Sequence, residues 1–240
     1  MKWLNTDIYS WLELGLVLVS TIGWVGTYMS VIRHEKKYGF VEMPFFIACG
    51  NLVWEFLYSW TYAQHINLGL LFVWGTRAWF FLDVYIFWLM LKDNGNDIQT
   101  PIIRKYYRPI LAILLVIWFC IIYAIAETGL DNIPFMSMAQ PIGRLGGFSA
   151  YILNFGISML YIIQYLQRYE QLPFSKATAW LKWFGTACVT VFFFLADPHN
   201  TVLLTLASLV FVLDIAYIVL MYILPQSPTL RQSPAGTVTA

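Results

Sequence analysis

The chain predicts an all-α, polytopic membrane protein of seven transmembrane helices, with the N-terminus outside and the C-terminus in the cytoplasm. Three observations predict it. Of 240 residues, 60% are hydrophobic and only 11% charged, whereas about a quarter are charged in a typical soluble domain. Apolar runs close to the ~20 residues needed to span hydrocarbon fall at 8–32, 41–64, 69–91, 109–127, 144–166, 178–196 and 200–223. The basic residues then sort by side: Arg33, Lys36, Lys37, Lys92, Arg104, Lys105, Arg108, Arg168, Lys176, Lys182 and Arg231 on one face, Lys2 and Arg144 on the other. The positive-inside rule turns that asymmetry into the orientation.

The first run is too long for the apolar core of a secretory signal and lacks a small-residue cleavage site, so no cleavable leader is expected. Its Glu13 lies near the outer end, within reach of water or headgroups. The second run carries Asn51, Glu55 and Ser59 at i, i+4, i+8 spacing with Tyr58 and Tyr62 beside them, a stripe that must face the bundle interior. In the third, Trp74, Trp79, Phe80, Phe81, Tyr85, Phe87 and Trp88 surround the helix, so most of these rings face lipid or pack. The fourth and fifth runs add the next two spans. The sixth and seventh are divided only by Asp197-Pro198-His199-Asn200, a strong turn and helix-start signal. Residues 1–224 form a single seven-helix domain in this reading. Residues 225–240, rich in Pro, Ser, Thr and Gly, form a disordered, dispensable tail.

Composition excludes several functions. A net charge of +1 gives no footprint for nucleic acid, and topology accounts for the basic loops. Cys49, Cys120 and Cys188 all fall inside predicted helices, where thiols are buried rather than paired. Retinal chemistry needs a Schiff-base lysine, and the last run has none. A zinc site needs clustered ligands, but His34 falls in an inner loop and His65 and His199 at outer helix ends. Asp93-Asn94-Gly95-Asn96-Asp97 has Asp-x-x-x-Asp spacing, yet reads as a turn, because a Mg²⁺-diphosphate site wants two such clusters with basic partners. No metal and no cofactor are expected. Short loops leave no soluble domain, so any chemistry takes place among the helices. The first three and last three helices share no polar pattern, which weakens a repeat-built transporter.

Ionisable groups in mid-span are functional candidates by default. Counting ~1.5 Å per residue from the outer ends places Glu55 and Arg77 about 12–15 Å deep and Asp83 and Asp214 about 20 Å deep, so the acids could share a cavity. A carboxyl in hydrocarbon finds a partner or keeps its proton, which makes Glu55 and Asp214 candidate proton donors. Asp214 has no basic neighbour on its own helix, and a salt bridge would need Arg77 from across the bundle. Arg77 either pairs in this way, snorkels, or meets substrate. Asp83 is a third pocket acid, the partner that neutralises Arg77, or a group that bonds a hydroxyl. The rings of Trp54, Tyr58, Trp79 and Tyr217 could steady a passing cation by about 0.5–2 kcal/mol each where water is excluded. Proton donors beside aromatics suggest carbocation chemistry.

The block Trp54-Glu55-Phe56 with Tyr58, the last-helix Asp214 and the seven-helix length of 240 residues resemble the small membrane-bound terpene cyclases of fungal meroterpenoid and indole-diterpene pathways and their bacterial relatives. That resemblance implies an isomerase- or lyase-type enzyme of secondary metabolism. It would protonate the terminal epoxide or alkene of a prenylated aromatic or polyketide substrate and direct polycyclisation in a membrane-embedded pocket. Glu55 and Asp214 are then the catalytic pair, with Asn51 and Asp83 as supporting candidates and Trp54, Tyr58, Trp79, Tyr217 and Arg77 as substrate contacts. The tail should enter between the second, third and seventh helices from the lipid phase. The expected site is an integral, multi-pass position in a bacterial cytoplasmic or internal membrane or in a fungal endoplasmic reticulum. The competing class is a proton-coupled carrier or a seven-helix ligand-binding protein.

Overall fold

A computed structural model describes residues 2–93, 95, 98–128, 131, 146–224 and 226, all helix and connection with no strand among them. Of the expected tail only Gln226 is described, and it is buried; the rest of the tail, with Arg231, and also Arg144 and Asn94, Asn96 and Asp97 of the acidic motif, lie outside the described residues, as does the side chain of His65. Among the described residues eight α-helices follow in order: α1 (Trp11–Tyr38), α2 (Phe45–Phe56), α3 (Leu70–Asp93), α4 (Pro101–Lys105), α5 (Tyr107–Glu127), α6 (Gly147–Arg168), α7 (Lys176–Ala196) and α8 (Thr201–Ile223). Six of them, all but α2 and α4, are long and apolar enough to cross a membrane.

The ends of these helices follow from local chemistry. Ser10 caps α1 in a reciprocal box: its hydroxyl accepts from the Glu13 N–H, and the Ser10 N–H donates to the Glu13 carboxylate. Gly39 closes the same helix at φ 65°, in the left-handed region. Ser175 and Asn200 cap α7 and α8 through side-chain oxygens. The break at Asp197-Pro198-His199-Asn200 does separate α7 from α8.

The second run departs from expectation. It is not one long α-helix: α2 has 12 residues, continues as a π-turn over Leu57–Thr61 and ends in a 3₁₀ turn over Ala63–His65. A π-turn widens the helix and releases carbonyls from the regular ladder. Arg77 Nε donates to one of them, Ser59 O, at 3.3 Å. His34 also differs from expectation: it is not in a loop but buried near the end of α1, against the Tyr38 ring at 4.7 Å.

Helices α1 and α7 cross closely because the contact is built from small residues. A Cβ at Gly23 would sit 2.9 Å from Gly185 Cα, and one at Gly185 would sit 3.0 Å from the Trp24 ring and 3.3 Å from Ser20 O. With lipid outside rather than water, such close packing takes over the role of hydrophobic burial. Around this pair, α3 flanks α1, α8 packs on α6 and α7, and α2 lies against α3, α5 and α6. At the end holding the N-terminus, Asn5 N–H donates to Leu68 O and Leu70 N–H to Lys2 O, both at 3.0 Å. Large apolar side chains such as Trp74, Phe81, Ile113, Val116 and Val212 point outward, as expected of lipid-facing surface.

Candidate active site

A cavity of about 130 Å³ opens among α1, α2, α3, α6 and α7 towards the N-terminal end of the bundle. Trp24, Trp54, Tyr58, Phe72, Trp79, Tyr151, Phe192 and Phe193 are its aromatic wall, and α2 contributes Asn51 and Glu55 beside Trp54. The i, i+4 spacing puts Asn51 and Glu55 on one side of that helix. Trp54 and Tyr58 stack with ring centroids 4.8 Å apart, one turn of helix from each other.

Glu55 is the centre of a buried network. Tyr28 of α1 donates its hydroxyl to Glu55 Oε1 at 2.5 Å, and Asn51 Nδ2 reaches the same oxygen at 3.2 Å. Asn51 Nδ2 also donates to Asp83 Oδ2 at 2.8 Å, so one amide spans two carboxyls from α2 and α3. Every one of these contacts to Glu55 falls on Oε1. Oε2 is buried with no hydrogen-bond partner among the described residues. A protonated carboxyl carries its hydrogen on one oxygen and accepts best on the other. In a protonated Glu55 this arrangement would make Oε1 the acceptor and leave Oε2 for the hydrogen.

Asp214 occupies a different compartment. Its partner is Lys182, at 2.5 Å, with Ser158 donating to the same oxygen at 2.7 Å and accepting from Lys182 at 2.8 Å. All three are buried. Lys182 therefore does not mark the inner membrane face, and Arg77 is not the counter-ion of Asp214; the α7 lysine reaches the acid across the α7–α8 contact. Arg77 instead lies 4.8 Å from each of the Trp60 and Trp74 rings, a cation–π clamp at the π-turn. Neither Asp214, Tyr217 nor Arg77 lines the cavity. The expected place of the last helix is taken by α1, α6 and α7, because the small-residue crossing draws α1 and α7 into the centre. Asp83 reaches the cavity only through Asn51.

Two further buried acids lie at opposite ends of the bundle. Asp131, in the α5–α6 connection, accepts from Tyr58 Oη at 2.5 Å and from the Ser149 N–H at 2.8 Å, while Trp54 Nε1 donates to Ser149 Oγ at 2.9 Å. Glu42, between α1 and α2, accepts from the Ser175 N–H at the start of α7. Burial pushes the Glu42 carboxyl up to about 8. Sequence reasoning missed Tyr28, Lys182, Asp131 and Glu42. For Lys182 a signal existed, since it falls inside the apolar run 178–196; the other three carry none in a single sequence.

Fold and site together define a multi-pass membrane protein built around an aromatic pocket with the carboxyl of Glu55 in its lining. The chain belongs to the Pyr4-like transmembrane terpene cyclases, whose family model matches residues 6–226. Among curated proteins it is similar to terpene cyclase pyr4 of Aspergillus fumigatus, 28% identical over 93 residues, which cover 37% of this chain and 36% of that one. It is also similar to asnovolin H synthase nvfL of Aspergillus novofumigatus, 24% identical over 102 residues, covering 41% and 40%. The matched stretches thus span about two fifths of the length of these relatives. No solved structure matches the chain.

Proposed function

We propose that the chain is a proton-initiated terpene cyclase in which Glu55 donates H⁺ from Oε2 to the terminal epoxide or alkene of a prenylated aromatic or polyketide substrate. The observation that carries this reading is the one-sided network at Glu55, a residue that lines the aromatic cavity: donors hold Oε1, while Oε2 has no hydrogen-bond partner among the described residues. Protonation creates a tertiary cation at the chain end. The cation then passes along double bonds held in a chair-like fold by the cavity wall. The rings of Trp54, Trp79 and Tyr58 stabilise it through their π-faces and keep out water, which would quench it.

Asn51 and Asp83 orient Glu55, Asn51 by direct hydrogen bonding and Asp83 through Asn51. Asp214 enters as the second acid that the family resemblance implies. Its tie to Lys182 and Ser158 joins α6, α7 and α8 behind Trp24, whose ring lies 6.0 Å from Lys182 Nζ. In this reading α2 with its π-turn, 17 residues in one continuous rod, rises about 25 Å and provides the seventh crossing. The N-terminus then lies outside, and the cavity mouth faces the same side. The prenyl tail enters from lipid, with its headgroup nearer that membrane face.

The test is to incubate membranes holding the chain with prenylated aromatic compounds, with and without a terminal epoxide. Isomers of unchanged mass, formed without added metal or nucleotide and lost in Glu55→Gln, are the expected result. A carrier would return every probe chemically unaltered, and that result would overturn the reading.

A further inference from the structure

Starting a cation cascade needs an acid, and ending one by proton loss needs a base. The two cannot be the same oxygen once the cation has moved several bonds from its origin. Water is a poor candidate for the base in a cavity walled by Trp24, Phe72, Phe192 and Phe193. The wall itself must then hold a group that can take a proton.

Tyr58 meets that need. It sits on the cavity wall three residues beyond Glu55, nearer the mouth, and is fully buried. Its hydroxyl donates at 2.5 Å to Asp131 Oδ2, in the range of a charge-assisted O–H···O⁻ bond. Asp131 is itself 1% exposed, and its other oxygen takes the Ser149 N–H, in the first turn of α6, where the helix dipole favours negative charge. Two donors point at this carboxyl, one on each oxygen, so both oxygens act as acceptors. A buried carboxylate behind a phenol at the wall of a hydrophobic pocket is the arrangement of a general base acting through a hydroxyl.

Building on the cyclase reading above, we propose that Tyr58 is the base that ends the cascade and that Asp131 is its positioning residue and proton acceptor. A C–H bond beside the final cationic carbon breaks, and its electron pair forms the product alkene. The released proton goes to Tyr58 Oη as the phenol's own proton passes to Asp131 Oδ2. Tyr58 leaves the step as a phenol and Asp131 as a carboxylic acid, which returns its proton to water before the next turnover. Glu55 has lost one proton and Asp131 has gained one, so substrate and product keep the same mass.

The experiment compares product partition in wild type, Tyr58→Phe, Asp131→Asn and Asp131→Glu, using the terminal epoxide of a prenylated phenol and its plain alkene as probes. Elution of each purified variant as a single detergent-solubilised species reports folding. Tyr58→Phe keeps the ring stacked on Trp54, so the expected change is in product identity. At least half of the product should shift to other alkene isomers and water-trapped alcohols, with a smaller fall in substrate consumption. Asp131→Asn should shift the partition the same way, and Asp131→Glu should recover part of the wild-type product. Unchanged partition in either folded variant overturns the proposal, as does an Asp131→Glu partition identical to that of Asp131→Asn. Should Tyr58→Phe not fold, Asp131→Asn carries the same measurement. If Glu55→Gln is inactive while Tyr58→Phe makes only the wild-type product, the cyclase reading stands and the base assignment falls; if wild type converts neither probe, both fall.

Discussion

The two mid-span acids that stand out in the sequence live in opposite circumstances. Glu55 is held by neutral donors, Tyr28 and Asn51, both on one oxygen, and is one of the residues that line the cavity. Asp214 is held by a buried ammonium and lines no cavity. In the proposed reading the carboxyl among neutral donors carries and gives up the proton, whereas the one beside Lys182 is paired with a buried ammonium in a contact that joins α6, α7 and α8. Mid-membrane position flags both, and only the identity of the neighbours separates chemistry from assembly. Removing each acid should therefore have different consequences.

The largest effect is expected at Glu55. Glu55→Gln preserves size and hydrogen bonding but removes the transferable proton, so turnover should fall by at least ~10²-fold with the thermal transition of the purified protein unmoved. Near-normal turnover would remove Glu55 as the acid. At Asp214 the expected loss is in stability: Asp214→Asn leaves Lys182 buried without its counter-charge, which costs about 3–5 kcal/mol, read as a lower melting temperature and lower folded yield. Lys182→Met combined with Asp214→Asn should recover much of that loss, because removing both charges removes the uncompensated one. Activity of this stabilised double variant then decides the remaining role of Asp214. Turnover near wild type makes it an assembly residue, and turnover as low as that of Glu55→Gln makes it part of the chemistry.

A third contrast sets the α1–α7 crossing against the open cavity beside it. Gly23→Ala puts a methyl 2.9 Å from Gly185 Cα, a backbone atom that cannot turn aside. The helices must separate, with a loss of about 1–3 kcal/mol. Trp24 and Tyr28 sit on the same helix and line the cavity, so product fidelity should fall with stability. Thermal melting together with product profiling checks both, and a variant as stable as wild type would show that the crossing relaxes without cost.

What was legible in the sequence follows the same division. Helices, their approximate ends and the polar stripe of α2 could be read because periodicity and run length are local properties. The π-turn was not legible: Leu57–Thr61 holds Tyr58 and Trp60 and carries no Gly or Pro to mark a change of helix type, and the Ser59 carbonyl is satisfied by Arg77, which lies 18 residues further on. Glu55 and Asp214 announced themselves through the energetic oddity of a carboxyl in hydrocarbon. Their partners did not, since Tyr28, Ser158 and Lys182 come from other helices, and three-dimensional neighbours of this kind carry no spacing rule. Lys182 shows the limit most clearly: charge sorting placed it at a membrane face, while packing turned the same residue inwards.

Aromatic side chains give a smaller and more selective contrast. Trp54 and Trp79 line the cavity, whereas Tyr217 packs on Tyr161 and Tyr165 outside it. Trp54→Leu and Trp79→Leu roughly keep apolar bulk but remove π-stabilisation of about 0.5–2 kcal/mol per ring, so partly cyclised products should appear before activity disappears. Tyr217→Leu should give the wild-type product. Chromatographic profiling of the three variants distinguishes these outcomes, and early-terminated rings from Tyr217→Leu would mean that α8 reaches the substrate after all.

The smallest expected effect lies at the far end of the bundle, at Glu42. This acid is fully buried where the α1–α2 connection meets the start of α7, and burial raises its carboxyl from 4.5 to about 8. Between those values the folded chain holds a proton that the unfolded chain has released. Stability therefore falls as pH rises through this window and levels off above it, since ∂ΔG/∂pH follows the difference in bound protons. Glu42→Gln has nothing to ionise and accepts from Ser175 as the acid does. Relative to wild type, the variant should gain in melting temperature as pH rises from about 5 to about 8, with turnover little affected because Glu42 is far from the cavity lining. Parallel melting curves for the two proteins across that range would mean that Glu42 ionises in the folded chain as readily as in the unfolded one, so that its burial at the head of α7 does not hold the proton.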